Sequence, residues 1–385
     1  MNTIQSQAQR CQEWLSRHAL PTWLHTSFDP ISGLFHEGLY ADARPYQENV
    51  RRFRVQPRQI YVFSHAHLQG LINSTSQIDL CIHQGLNRFT NQNGEFIFSL
   101  DNQLKPSGHS VNAYEHAFAL LGYVWHYHLT LDPESKQKLE QIYQWFESAL
   151  KAPYVPGFYS SLSDHDLRCQ NPHMHLFEAL MVCYELTDEA IWLKRARAIY
   201  RLFETVLLRK NQTNNGYLGE FFTATWSTHH PLSRQVDPGH HYEWIWLLHH
   251  YSKLTATDVS DHIATLEQFA NQYGHNPNGL VRDEVLSDGT PLRSTSRLWC
   301  QTEYLKAQIA LWENSHHHSY RDNIISAVER IFDHYLTPAK PGLWLDHLDE
   351  HGQALHHDAP ASTFYHLFLA FSELNRIANK DISCQ

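Results

Sequence analysis

The chain has no surplus of positive charge. Lysine and arginine number 30 against 40 aspartates and glutamates, a formal net charge of −10 over 385 residues. Nothing resembles the clustered basic surface that nucleic acids require. Long apolar runs are missing as well, since no segment reaches the roughly 18–20 residues of a membrane span. The N-terminal stretch MNTIQSQAQRCQEWL lacks the basic and apolar regions of a secretory signal. Cysteine is sparse and scattered: Cys11, Cys81, Cys169, Cys183, Cys300 and Cys384 form no C-x-x-C pair. That spacing gives no zinc or dithiol motif and fits free thiols in a reducing, cytoplasmic setting. H-E-x-x-H, the phosphate loop, G-x-S-x-G and G-x-G-x-x-G are all absent. Nucleotide hydrolysis, hydride transfer and the common serine-hydrolase scheme therefore lack support.

What is plentiful is histidine, at 30 residues as many as lysine and arginine together. Apolar residues make up 42% and aromatics 13%, enough for a large core and too much for disorder. Length alone would admit two or three domains. A repeat argues otherwise. A glycine followed closely by aromatic or aliphatic residues recurs at Gly33, Gly94, Gly157, Gly216, Gly279 and Gly342, at intervals of 61, 63, 59, 63 and 63 residues. Single Gly-aromatic doublets are common, but six at near-constant spacing indicate a repeat architecture.

The segments between the glycines read as helices. Over 188–209, Trp192, Ala196, Ile199, Phe203 and Val206 form an apolar stripe, with Lys194, Arg195, Arg197 and Arg201 largely off it. The segment 132–150 begins Asp-Pro-Glu, a capping residue followed by proline at the first helical position. Its stripe is Leu139, Ile142, Phe146 and Leu150. Further helices are expected over 296–314, 320–337 and 362–380. In each unit the helix after the loop is the more apolar, as in YEWIWLL (242–248), so it belongs to an inner layer. The last helix, STFYHLFLAFSEL, is as apolar as the internal ones, whereas open arrays end in polar caps. The expected architecture is all-α: an (α/α)6 barrel of six hairpins closing one domain over 1–385.

In such a ring the loops entering the inner helices share one end, so residues a fixed distance past each glycine should converge there. Counting 18–25 residues on gives Arg58, Glu115, His175, His240, Gln301 and His366. Any one of these histidines alone would be read as a hydrogen-bonded core residue; three at matching positions point to a site. His175 precedes Glu178, and His240 precedes Glu243, by three residues, which puts each pair on one helix face. Such a carboxylate could orient the imidazole or join it in holding a metal. His316–His318, His249–His250 and His356–His357 read as solvated turns. The tryptophans are core by default, with Trp244 and Trp299 the two candidates for stacking on a sugar ring.

Several segments resemble the N-acylglucosamine 2-epimerase superfamily: RVQPRQIYVFSHA (54–66), NPHMHLFEALM (171–181), DPGHHYEWIWLL (237–248), RLWCQTEYLKA (297–307) and STFYHLFLAF (362–371). The resemblance runs from about residue 20 to 375 and is closest to the aldose–ketose isomerase branch. It implies an (α/α)6 barrel acting on a monosaccharide without cofactor or metal, with a homodimer as an admissible assembly. It places functional histidines at His175, His240 and His366, the arginine at Arg58, the asparagine before M-H at Asn171 and the P-G-H-x-x-E glutamate at Glu243. Gln301 and Glu303 match a W-x-Q-x-E stretch and, with Asn171, Trp299 and Glu115, are the expected substrate-binding residues, Asn171 and Gln301 holding hydroxyls. The expected chemistry is a cis-enediolate route with His366 as the C2/C1 base, His240 oriented by Glu243 as its partner, and His175 assisting ring opening. Arg58 would stabilise the enediolate. Pro57 departs from the pattern, being a helix breaker beside Arg58. Competing readings are a 2-epimerase, a glycoside hydrolase using two of Glu115, Glu243 and Glu303, a metal-dependent isomerase and a non-catalytic binding module.

Overall fold

A computed structural model describes residues 3–47, 50–213 and 215–383; Cys384 lies outside them. Twelve helices dominate. Six outer helices are α1 (Ile4–Trp14), α3 (Thr75–Leu80), α5 (Pro133–Trp145), α7 (Ala190–Leu202), α9 (Ser260–Tyr273) and α11 (His318–Ile331). Six inner helices alternate with them: α2 (Val55–Leu68), α4 (Ala113–Thr130), α6 (Gln170–Thr187), α8 (Pro238–Thr255), α10 (Leu298–Ser315) and α12 (Ser362–Ser383). Each inner helix packs on the next, and α12 packs back on α2 and α1. The expected closed (α/α)6 barrel is thus what forms. Among the described residues no helix is long and apolar enough to cross a membrane.

The sequence pattern explains the two layers. In α8 nearly every side chain from Pro238 to Tyr251 is buried, as a helix surrounded by protein requires. Outer helices bury one stripe, Leu139 and Ile142 in α5 and Trp192, Ala196 and Ile199 in α7. Asp132 caps α5 by accepting from the amides of Glu134 and Ser135. Arg195 is the exception to the polar face of α7. It is buried, lies over Tyr143 at 3.9 Å and donates to Glu140 of α5 at 2.6 and 2.7 Å. His249 and His250 sit in the body of α8, not in a turn, and contact Glu313 and Glu185. His316 is the left-handed residue ending α10, and His317 caps α11.

The repeated glycines make the turns of the entering loops. Gly33, Gly94, Gly157, Gly279 and Gly342 have φ between 73° and 87°, where a Cβ is strained. Gly216 opens a strand instead, and a Cβ there would lie 2.1 Å from Thr265. Successive loops are stitched by short antiparallel pairs around the rim, including Arg51 with Leu100, Cys169 with Phe221, Gln235 with Leu286, Ser296 with Leu348 and Leu39 with Ala359. A single bridge, Asn112 with Ser161, joins the second and third loops.

A second repeat ties each loop to its inner helix. The amides of Phe35, Phe96, Phe158, Leu218 and Val281, one or two residues past the repeat glycines, donate to Gln56, His116, His173, His241 and Gln301 at 2.8–3.3 Å. The three histidines use Nε2 for this and turn Nδ1 to the carbonyl four residues earlier. Each is therefore a neutral tautomer with both nitrogens engaged. Burial lowers all three to about 4. The seam of the ring is closed by Trp23, which donates to the carbonyl of Gly342 at 3.0 Å and stacks on Trp344.

Candidate active site

The N-terminal turns of the inner helices surround a cavity of about 240 Å³ at the loop end of the barrel. Its walls include Arg58, Asn171, His175, His240, Glu243, Trp299 and His366, together with Tyr114, Asp237 and Asp346. Pro57 does not disturb Arg58. The helix begins at Val55, so the proline falls in the first turn, where its missing N–H has no helical partner to lose. Gly122 of α4 makes room for the ring, since a Cβ there would lie 2.7 Å from Pro57 Cβ.

The three histidines share one arrangement. His175 turns Nδ1 to Glu178 at 3.3 Å, His240 to both oxygens of Glu220 at 3.1 Å, and His366 to Glu303 at 2.8 Å. A carboxylate behind the ring fixes its orientation and tautomer, leaving Nε2 for the cavity. The expected partner of His175 is thus present. That of His240 is not Glu243. Its carboxylates are Glu220, 3% exposed on the loop before α8, and Asp237 at 3.5 Å. Glu243 instead approaches His175, 3.9 Å from its Nδ1.

These surroundings drive the histidines apart. Burial disfavours the charged ring of His240, but the Glu220 carboxylate, aided by Asp237, overrides it and raises the group to about 9. Burial lowers His175 to about 4 against the pull of Glu178. His366 is pushed well below its ordinary value by burial, with Arg58 and Lys306 adding to the effect. Burial and the neighbouring Glu303 push the Glu243 carboxyl well above the usual range, which favours the protonated form able to donate a hydrogen bond.

Four arginines line the cavity: Arg52, Arg54, Arg58 and Arg297. Three are held from behind by carboxylates, Arg52 by Glu37, Arg54 by Glu115 and Arg297 by Asp283. Arg58 has no such partner among the described residues. It donates to the Tyr114 hydroxyl at 2.6 Å and the Ser362 carbonyl at 3.3 Å, and lies over Phe118 at 4.2 Å. Its charge is the one left free to face a ligand.

Three expected sugar contacts fall elsewhere. Glu115 is fully buried and engaged with Arg54. Glu303 lies behind His366 and pairs with the buried Lys306 at 2.7 Å. Gln301 belongs to the loop-anchoring series and spans the amide and carbonyl of Val281. A pair of carboxylates flanking the cavity, as glycoside hydrolysis needs, therefore does not arise from Glu115, Glu243 and Glu303. Trp299 does reach the cavity, between His240 at 5.0 Å and His366 at 5.8 Å between ring centres. Gly239 allows this, because a Cβ there would meet the indole at 2.6 Å. Trp244 is core, packed between Phe177 and Phe203.

Three groups of side chains come close enough to hold a cation: His175–Glu178–Glu243, Glu220–Asp237–His240 and Glu243–Glu303–His366. The first and third surround Lys306, whose ammonium already supplies positive charge to Glu303, Glu243 and Glu178.

The profile of the N-acylglucosamine 2-epimerase (GlcNAc 2-epimerase) family matches residues 33–370. A protein of Rhizobium meliloti (strain 1021) named mannose-6-phosphate isomerase is 32% identical over 388 residues, covering 96% of this chain and 97% of its own. One named D-mannose isomerase from Marinomonas mediterranea is 24% identical over 346 residues, 80% of this chain and 85% of its own. A crystal structure of D-mannose isomerase matches with a TM-score of 0.83 at 21% identity, covering 97% of each chain.

Proposed function

The chain belongs to the N-acylglucosamine 2-epimerase family, and from that membership we propose that it is a cofactor-independent aldose–ketose isomerase interconverting D-mannose, or a related aldose such as D-lyxose, with its ketose. The observation that carries this reading is the pair His366 and His240. Both rings are seated on glutamates in one cavity, and their environments make one a neutral base and the other an imidazolium. Titratable groups driven apart in this way divide acid and base roles between them. The cavity, at about 240 Å³, lies below the roughly 300–1,000 Å³ of drug-sized ligand sites and suits a single sugar ring.

Once the ring is open, His366 Nε2 takes the C2 proton while His240 protonates O1, giving the enediol. Arg58, the arginine without a carboxylate, holds the negative charge that develops on oxygen. His240 then takes the O2 proton as His366 returns its own to C1, and the ketose forms with both rings restored. His175 assists ring opening, with the protonated Glu243 beside it as hydrogen-bond donor. Asn171, whose amide lies 3.3 Å from His240 Nε2, holds a hydroxyl, and Trp299 covers one face of the sugar.

The second reading, carried by the family's own description, is a 2-epimerase in which His240 protonates C2 from the opposite face. Incubation with mannose, glucose, fructose and lyxose in D₂O, followed by proton NMR, separates the two. A ketose is the expected product; a C2-inverted aldose would replace isomerase by epimerase, and no exchange at C2 would refute both.

A further inference from the structure

A second cavity, of about 350 Å³, occupies the other end of the barrel. It is walled by the C-terminal parts of the inner helices, with Tyr61, Trp125, Val182, Trp246 and Leu369 among its residues. Glu185 and Lys253 at its edge are 36% and 43% exposed, so it opens to solvent. Among the described residues none lines both cavities. Between them lies a fully buried layer in which Glu178 faces both ways. Its Oε2 meets Nδ1 of His175, which lines the first cavity, while its Oε1 accepts from the hydroxyl of Tyr365, and both Glu178 and Tyr365 line the second.

We propose that Glu178 is a relay residue joining His175 to the water of this second cavity, so that His175 exchanges protons with solvent while sugar fills the first. This rests on the isomerase reading, in which His175 acts in ring opening. A proton on Nδ1 of a His175 imidazolium passes to Glu178 Oε2. The carboxylic acid so formed gives its proton to water in the far cavity, and the reverse sequence recharges the ring. The need for such a path follows from the geometry. His175 is 4% exposed, and a bound sugar would cover the side it shows to the first cavity. The charged and titratable groups facing Glu178 are His175 on its own helix, Tyr61 on α2, Lys306, Glu303 and Glu243 on α10 and α8, and Tyr365 and His366 on α12. Tyr61 and Tyr365 also line the second cavity, and the proton of Tyr365 points toward Glu178.

The test uses the full chain with mannose. Glu178→Gln keeps the acceptor for Tyr365 but cannot carry a proton, so kcat should fall tenfold or more with KM within twofold. In Glu178→Ala, sodium formate should restore kcat at least fivefold by entering through the second cavity. Val182→Phe, one helical turn along and lining the cavity, should lower kcat severalfold by displacing its water. Because it leaves Glu178 and its partners in place, it decides the matter even where a substitution at Glu178 does not fold. Wild-type kcat in Glu178→Gln or in Val182→Phe, or a folded Glu178→Ala that formate does not rescue, overturns the relay and leaves the isomerase reading standing. Absence of C2 exchange in the wild type with every sugar overturns that reading itself.

Discussion

Replacing Glu220 by glutamine removes one charge from the back of His240 and leaves a single oxygen to accept from both His240 Nδ1 and the Gln170 amide. In the native protein the ring rises from 6.5 to about 9, a preference for the imidazolium on the order of 3 kcal/mol at about 1.4 kcal/mol per pH unit. Burial opposes that rise and stays in the variant, while Asp237 remains at 3.5 Å. His240 should therefore fall back to about 6.5 or below. At pH 7.5 the protonated fraction then drops from nearly all to roughly a tenth, and kcat for mannose should drop about 10- to 100-fold. The loss should shrink below pH 6, where the variant's ring recharges. In the wild type, kcat should decline as pH rises through about 9; in Glu220→Gln that limb should move to near 6.5. Stability carries the same signature. A group whose folded value is raised stabilises the native state fully below its unfolded value near 6.5, and that contribution disappears as pH rises through about 9. The gap between wild type and variant in urea denaturation should thus be widest near pH 6 and nearly closed by pH 10. An alkaline limb that stays in place in Glu220→Gln would falsify the assignment of His240 as the acid.

Two further substitutions test the catalytic base and the architecture. His366→Ala should lower kcat by about 10²–10⁴-fold, the usual worth of a general base, with the fold retained by circular dichroism; turnover surviving both this and His240→Ala would remove the histidine mechanism. His173→Phe fills the ring's space but orphans the Phe158 amide, at a cost of about 1–3 kcal/mol for a buried unsatisfied group. A denaturation midpoint equal to the wild type's would show that this anchor does not hold its loop.

The ring was readable in the sequence because its repeat is physical. Five of the six glycines sit at positive φ, a place where other residues are strained, so the period is written in a residue type that tolerates no easy substitute. The two helix layers were readable for a similar reason, as burial on all sides and burial on one face leave different patterns. What counting could not do was aim side chains within a helical turn. Arg58, His175, His240 and His366 and their neighbours Glu115 and Gln301 all lie in the first two turns near the mouth, yet Glu115 and Gln301 turn away from the cavity. At 100° per residue, one position decides whether a group meets the ligand or the adjacent loop.

The partner of His240 is on no helix, so helical spacing does not point to it. A search for an orienting carboxylate along the helix face finds Glu243, three residues on, but that face turns toward His175 and α10. The group that holds His240 comes from the loop, four residues past a repeat glycine. The same offset yields Glu37, Asp283 and Asp346, which hold Arg52, Arg297 and Thr363 respectively. An acid at the fourth residue of four loops out of six was therefore a second periodic signal, aimed inward at the first turns of the inner helices. The histidine surplus divides along the same line. His116, His173 and His241 face outward and spend both nitrogens on backbone groups, whereas His175, His240 and His366 face inward and spend one nitrogen on a glutamate. Residue type is shared between the two sets. Chemistry is left to the second because its rings turn their other nitrogen toward the cavity, where His240 meets only the amide of Asn171.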